Sequence, residues 1–187
     1  MKNELRNDIL VKRNSLSKSE VLEKSLKIKN QLFYMNEFKN AKMILFYVSY
    51  GNEVYTHEMI KQSISNGKKI IVPKSDTSNY SLVLSRLISW NDLELGAYNI
   101  LEPKKQSIRE VDLELIDLII VPGVVFDADG NRIGHGKGYY DRLLKDANKL
   151  SIGLAFEFQI VKNINAEKHD EKIDIIVTED RIIRRKM

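Results

Sequence analysis

The sequence predicts an α/β fold built on a mostly parallel central sheet, and three observations carry that prediction. Met43-Ile44-Leu45-Phe46-Tyr47-Val48 and Lys69-Ile70-Ile71-Val72 are short, nearly unbroken apolar runs, the pattern of strands covered on both faces. Between them Thr56 to Ser65 has a helical period, and Gly67 stops it. Strand, helix and strand within about 35 residues is the spacing of a crossover between parallel neighbours. A third apolar run, Leu118 to Val121, ends at Pro122-Gly123 and reads as another central strand.

The remaining elements follow in order. The first ~35 residues read as two helices: Leu5, Ile9 and Leu10 recur at helical spacing. Ser17 and Glu20 then form a capping box ahead of Val21, Leu22, Leu26 and Ile28. Pro73 is expected to close the second strand. Tyr80 to Leu87 alternates, as an edge or antiparallel strand does, and Asp141 to Ala147 is helical. Ile152 to Phe156 and Ile173 to Val177 supply the last strands. No linker, repeat or low-complexity segment divides the chain, so residues 1–187 read as a single α/β domain.

Composition narrows the chemistry. With 30 Lys and Arg against 26 Asp and Glu, the 187 residues carry a net charge of +4. That modest excess is dispersed, apart from Arg181 to Lys186, read as a solvated C-terminal face, and interleaved basic and aromatic patches are missing. Nucleic acid is therefore not an expected partner. Cysteine is absent, which removes disulfides, thiol nucleophiles and zinc–cysteine sites. His57, His135 and His169 are too scattered for a metal site and read as structural or solvent-exposed. No signal-peptide pattern and no apolar run near the ~20 residues of a bilayer span is seen, so the expectation is a cytoplasmic protein with no membrane partner.

In open α/β sheets ligands bind beyond the carboxyl ends of the strands, which directs attention to the loops 49–55, 73–80 and 122–140. The last holds the densest signal, PGVVFDADGNRIGHGKGYYD. Gly134, Gly136 and Gly138 alternate, Lys137 sits between the last two, and Tyr139-Tyr140-Asp141 leads into a helix. Glycines let backbone N–H groups approach an anion, the helix start adds a positive dipole end, and Lys137 adds a full charge. Neither standard nucleotide motif fits. Gly130 and Gly136 are separated by five residues, and glycine rather than serine or threonine follows Lys137; a dinucleotide fingerprint would need glycine at Tyr139. Spacing supports anion binding and names no nucleotide.

The segment GNRIGHGKGYYDRLL nevertheless resembles the glycine-rich signature of the 5-formyltetrahydrofolate cyclo-ligase family. The resemblance runs along the chain in order: Lys2 to Arg6, Gly51 to Thr56, Ile71 to Lys74, Gly96 to Pro103, Val121 to Asp127 and Ala166 to Glu179. It implies a Rossmann-like three-layer fold related to those of sugar-phosphate isomerases and CoA transferases. It also implies ATP- and Mg²⁺-dependent closure of 5-formyltetrahydrofolate to 5,10-methenyltetrahydrofolate, releasing ADP and phosphate.

By the same resemblance, ATP is the co-substrate and binds Lys2, Asn3, Glu4, Leu5 and Arg6 together with Gly134, His135, Gly136, Lys137, Gly138, Tyr139, Tyr140 and Asp141. Lys137 and Arg6 are the catalytic cations. Val48, Glu53 and Tyr98, with Gly136, Lys137, Gly138 and Tyr139, take the folate, and Asp141 and Asp174 take Mg²⁺. The expected partners are these small molecules, and the expected state is a monomer or weak homodimer. An isomerase or CoA transferase of similar fold would need no ATP, and a basic RNA-binding module would show salt-dependent binding and no folate turnover.

Overall fold

The computed structural model describes residues 2–167 and 170–186; His169, read above as structural or exposed, lies outside them. Three helices open the chain: α1 (Lys2–Asn14), α2 (Lys18–Tyr34) and α3 (Asn36–Asn40). The capping box at the start of α2 forms as the sequence predicts, with Ser17 Oγ accepting from Glu20 N–H and the Glu20 carboxylate accepting from Ser17 N–H at 2.8 Å.

The chain then runs through β1 (Met43–Leu45), α4 (His57–Ser65), β2 (Lys69–Asp76) and β3 (Ser81–Leu87). A two-stranded ribbon follows, β4 (Leu93–Leu95) with β5 (Leu101–Pro103). Next come β6 (Leu118–Val121), β7 (Val125–Asp127), β8 (Arg132–Ile133) and α5 (Tyr139–Asp146). The chain finishes with β9 (Leu150–Leu154), β10 (Ile160–Val161), β11 (Ile175–Val177) and β12 (Ile182–Arg184).

Seven strands make the main sheet, in the order β12-β11-β9-β6-β1-β2-β3. The five inner strands pair in parallel, and the edge strands β12 and β3 are antiparallel to their neighbours. The predicted β1–α4–β2 unit is present, with Met43 opposite Lys69. Alternation along the strands divides the core between two faces. Ile44, Ile70, Ile120 and Ile152 pack against α2, α3 and α4, whereas Leu45, Ile71, Ile119 and Val121 pack against Leu143 and Leu144 of α5. The result is a sheet between two helical layers. Phe38, Phe46, Phe126 and Phe156 are fully buried, each stabilising the fold by about 1.5–3 kcal/mol through removal from water.

Two expectations change. Pro73 does not close β2, which runs on to Asp76 opposite β3. Pairing with β1 stops at Ile71, so beyond that point one side of the strand needs no ladder donor and proline is tolerated. The basic tail is also more than a solvated face, because its Ile182–Arg184 segment pairs with β11, and Arg184 binds Glu37 at 2.6 Å. Its largely exposed residues are those of an edge strand, which fits the solvated reading as far as it goes.

Candidate active site

The chain passes from β1 to β2 and β3 on one side of the sheet and resumes with β6 on the other, which creates a switch point between β1 and β6. A cavity of about 1010 Å³ opens there; Val48 after β1, Pro73 and Ser75 in β2, and Pro122 after β6 form part of its wall. The position follows from the sheet order. The residues that give it chemistry come from elsewhere in the chain.

One group comes from α1. Leu5, Ile9 and Leu10 pack against Val124, Val125 and Ile133 at the β7–β8 hairpin, which seats the helix beside the glycine-rich loop. Lys2, Asn3 and Arg6 then face the cavity. Arg6 Nε donates to the Gly134 carbonyl at 2.8 Å, and its Nη1 donates to Asn3 Oδ1 at 2.6 Å. Lys2 donates to Asp170 at 2.5 Å and stands 3.3 Å from Glu167. Burial alone would lower the Lys2 pKa, but these two acids outweigh it and raise it. Glu4 and Leu5 do not line the cavity, contrary to the expectation that they bind the nucleotide. They fall on other faces of a helix whose 100° step brings positions 2, 3 and 6 to one side.

The second group is the loop 134–138, which lies entirely in the cavity wall. None of its N–H groups donates to a protein acceptor among the described residues. Gly138 precedes α5 with φ +71°, a conformation that costs other residues about 1–2 kcal/mol. A Cβ there would also meet Arg142 Nη1 at 2.6 Å. That guanidinium holds the carbonyls of Lys137 and Gly138 at 3.1 and 2.8 Å. Lys137 Nζ is 5.9 Å from the centre of the Tyr80 ring. Tyr139 meets Tyr80 and Tyr98 edge-on, at 5.9 and 6.5 Å, and its pKa is pushed up to about 12 by burial and by Tyr98. Tyr80 and Tyr98 both hold positive φ, near +57° and +58°. Such strain in a non-glycine residue is commonest at functional sites.

The third group is the loop after β1. Glu53 is only 5% exposed. Its Oε2 accepts from the Tyr50 N–H at 3.2 Å, and its Oε1 lies 3.4 Å from His135 Nε2. The same ring nitrogen is 3.3 Å from the Tyr50 hydroxyl. His135 thus joins the glycine-rich loop to the Glu53 loop. His57 has a structural role, bound to the Ser49 carbonyl and packed between Tyr55 and Trp90.

Asp141 lines the cavity, but its Oδ1 accepts from Arg132 Nη2 at 2.8 Å. Asp174 does not join it. Its carboxylate accepts from Ser151 N–H and Oγ at 2.9 and 2.8 Å and from Arg185 at 3.0 Å. Ser151 is near the amino end of β9, and the cavity lies beyond the carboxyl ends of the parallel strands, so the predicted pair does not converge. Among the described residues no group of three or more His, Asp or Glu could hold a metal.

The sequence reading missed Arg132, Arg142, Lys145, Glu167 and Asp170, all of which line the cavity. Arg142 and Lys145 could have been found from the helical period, since they follow Gly138 by four and seven residues.

The geometry has clear relatives. A profile of the 5-formyltetrahydrofolate cyclo-ligase family matches residues 1–179. The mouse 5-formyltetrahydrofolate cyclo-ligase is 34% identical, over 94% of this chain and 92% of its own. A probable 5-formyltetrahydrofolate cyclo-ligase of Schizosaccharomyces pombe is 30% identical, over 98% and 97%. Among solved structures, the 5,10-methenyltetrahydrofolate synthetase of Aquifex aeolicus superimposes with a TM-score of 0.88 at 36% identity, covering 100% of this chain and 93% of that one. The synthetase of Mycoplasma pneumoniae gives 0.77 at 26% identity, covering 95% and 98%. A profile match along nearly the whole length and a fold shared from end to end lead to one conclusion: the chain belongs to the 5-formyltetrahydrofolate cyclo-ligase family and is a ligase.

Proposed function

We propose that the cavity binds ATP and 5-formyltetrahydrofolate side by side and closes the folate to 5,10-methenyltetrahydrofolate. One observation carries the reading: cations from α1 and the open N–H groups of 134–138 share a single cavity with the buried carboxylate of Glu53. Its ~1010 Å³ is at the upper end for small-molecule sites, as two ligands require.

The formyl group on N5 is an amide, and its carbon is a poor electrophile. Transfer of the γ-phosphoryl group forms a bond from the formyl oxygen to phosphorus and breaks the bond to ADP. The carbon becomes iminium-like, N10 attacks it with loss of its proton, and the C–O bond breaks to release phosphate. Catalysis then consists of alignment and charge neutralisation, with no protein nucleophile. Lys137 and Arg6 are assigned to the transferring phosphoryl group, Lys2 and Asn3 to the nucleotide with the 134–138 amides, and Glu53 to the paired N–H donors of the pterin's amino-pyrimidinone edge. Val48, Tyr98 and Tyr139 supply the apolar and aromatic wall.

Magnesium needs only one or two protein carboxylates when phosphate oxygens and water supply the rest. Asp141 is suited to that role; the Asp141–Asp174 pair is not, and no step is assigned to it. Mixing the protein with Mg-ATP and 5-formyltetrahydrofolate should produce the methenyl absorbance band together with one ADP per product. Methenyl formation without ATP, or none with it, would overturn the reading.

A further inference from the structure

Tyr140, the second residue of α5, packs its ring against both core clusters. Tyr140 lines the cavity, and its hydroxyl is buried and has no hydrogen-bond partner among the described residues. A buried O–H group without an acceptor is unfavourable and uncommon, and in a ligand cavity it points to an acceptor on the ligand. Tyr47, a buried member of the cluster Tyr140 packs against, shows the contrast: its hydroxyl donates to the Val54 carbonyl at 3.2 Å. Burial and then the charge of Glu53 push the Tyr140 pKa up, and Arg132 opposes them, so the group stays a neutral donor close to that carboxylate.

Resting on the assignment of folate to this cavity, we infer that the Tyr140 hydroxyl donates to the 4-oxo oxygen of the pterin. The chemistry is complementary. The edge of an amino-pyrimidinone presents two donors, the exocyclic amine and N3–H, followed by an acceptor at the 4-oxo oxygen. Glu53 can accept from both donors, because Tyr50 and His135 occupy one site on each carboxylate oxygen and each oxygen has another lone pair. The 4-oxo oxygen would meet only repulsion from a carboxylate. It needs a neutral donor beside Glu53, and Tyr140 supplies one. This moves Tyr140 from the nucleotide group, where the sequence reading put it, to the recognition of the pterin.

The test is Tyr140→Phe, which keeps the ring and removes only the hydroxyl. The unliganded variant should melt at the same temperature as wild type or slightly higher, because no protein hydrogen bond is lost. Its Kd for 5-formyltetrahydrofolate, titrated without ATP, should weaken about tenfold, with the KM for ATP unchanged. A 2,4-diaminopteridine, which carries an amine in place of the 4-oxo group, should bind both proteins equally. Unchanged folate affinity overturns the inference, as does a fall in melting temperature without a change in affinity, which would mark a structural bond. Equal weakening toward the diaminopteridine overturns it too. Failure of the folate assignment is seen separately, as a wild-type protein that forms no methenyl product.

Discussion

Two short turns only a few residues apart, 127–131 and 134–138, are built from similar material and do opposite things. The first, Asp127-Ala128-Asp129-Gly130-Asn131, is closed on itself. Asp127 is 1% exposed and accepts from the N–H groups of Asp129, Asn131 and Ile164 and from the Asn131 side chain, at 2.8–3.0 Å. Gly130 is required for packing, since a Cβ would lie 2.3 Å from the Ile173 carbonyl. The N–H groups of the second turn have no protein acceptor among the described residues, and the turn has no internal carboxylate to accept from them. What separates the structural turn from the proposed anion cradle is therefore the acceptor. Where the chain supplies its own carboxylate the loop is satisfied, and where it supplies a lysine the loop has no acceptor of its own.

The largest expected effect tests the open turn. Lys137→Ala should lower turnover by about 10²–10³-fold, the cost of one charge-stabilising donor at a transferring group, with the melting temperature within ~2 °C of wild type. Near-normal turnover would remove the cradle from the chemistry. Asp127→Ala tests the closed turn and should do the reverse. Stranding several buried donors should cost about 3 kcal/mol, a fall in melting temperature of roughly 6–12 °C, while turnover of the folded protein is preserved. A stable but inactive variant would erase the distinction between the turns. The smallest effect is expected from Asp174→Asn. Loss of its part-exposed bonds to Ser151 and Arg185 should cost about 1 kcal/mol. The magnesium concentration needed for half-maximal turnover should not move, and a shift would restore Asp174 to the metal.

Much of the architecture was legible because it rests on local rules. The β1–α4–β2 unit followed from two apolar runs and a helical period, the α2 start from Ser17 and Glu20, and the loop 134–138 from the coincidence of glycines, a lysine and a helix start. Elements that depend on neighbours were not legible. Whether Pro73 ends a strand depends on where β1 stops pairing, and the pairing of 182–184 depends on an exposed edge of β11. Of the run Lys2 to Arg6, which the sequence reading took whole, Lys2, Asn3 and Arg6 line the cavity and Glu4 and Leu5 do not, because a helix shows only one face to a cleft.

The sequence by itself determined the β1–α4–β2 unit and the start of α2, because each rests on residues close together in the chain, and it pointed to the family through short motifs that recur in order along its length. Only the tertiary structure decided what meets what. It brought α1 to the glycine-rich loop through Arg6 and Gly134, set His135 against Glu53, put Tyr140 in the cavity wall, and placed Asp174 at the far end of the sheet. The physical reason is range. Propensity and capping act over a turn or a strand, whereas the partner of a buried charge or hydroxyl is chosen by how layers separated by a hundred residues pack.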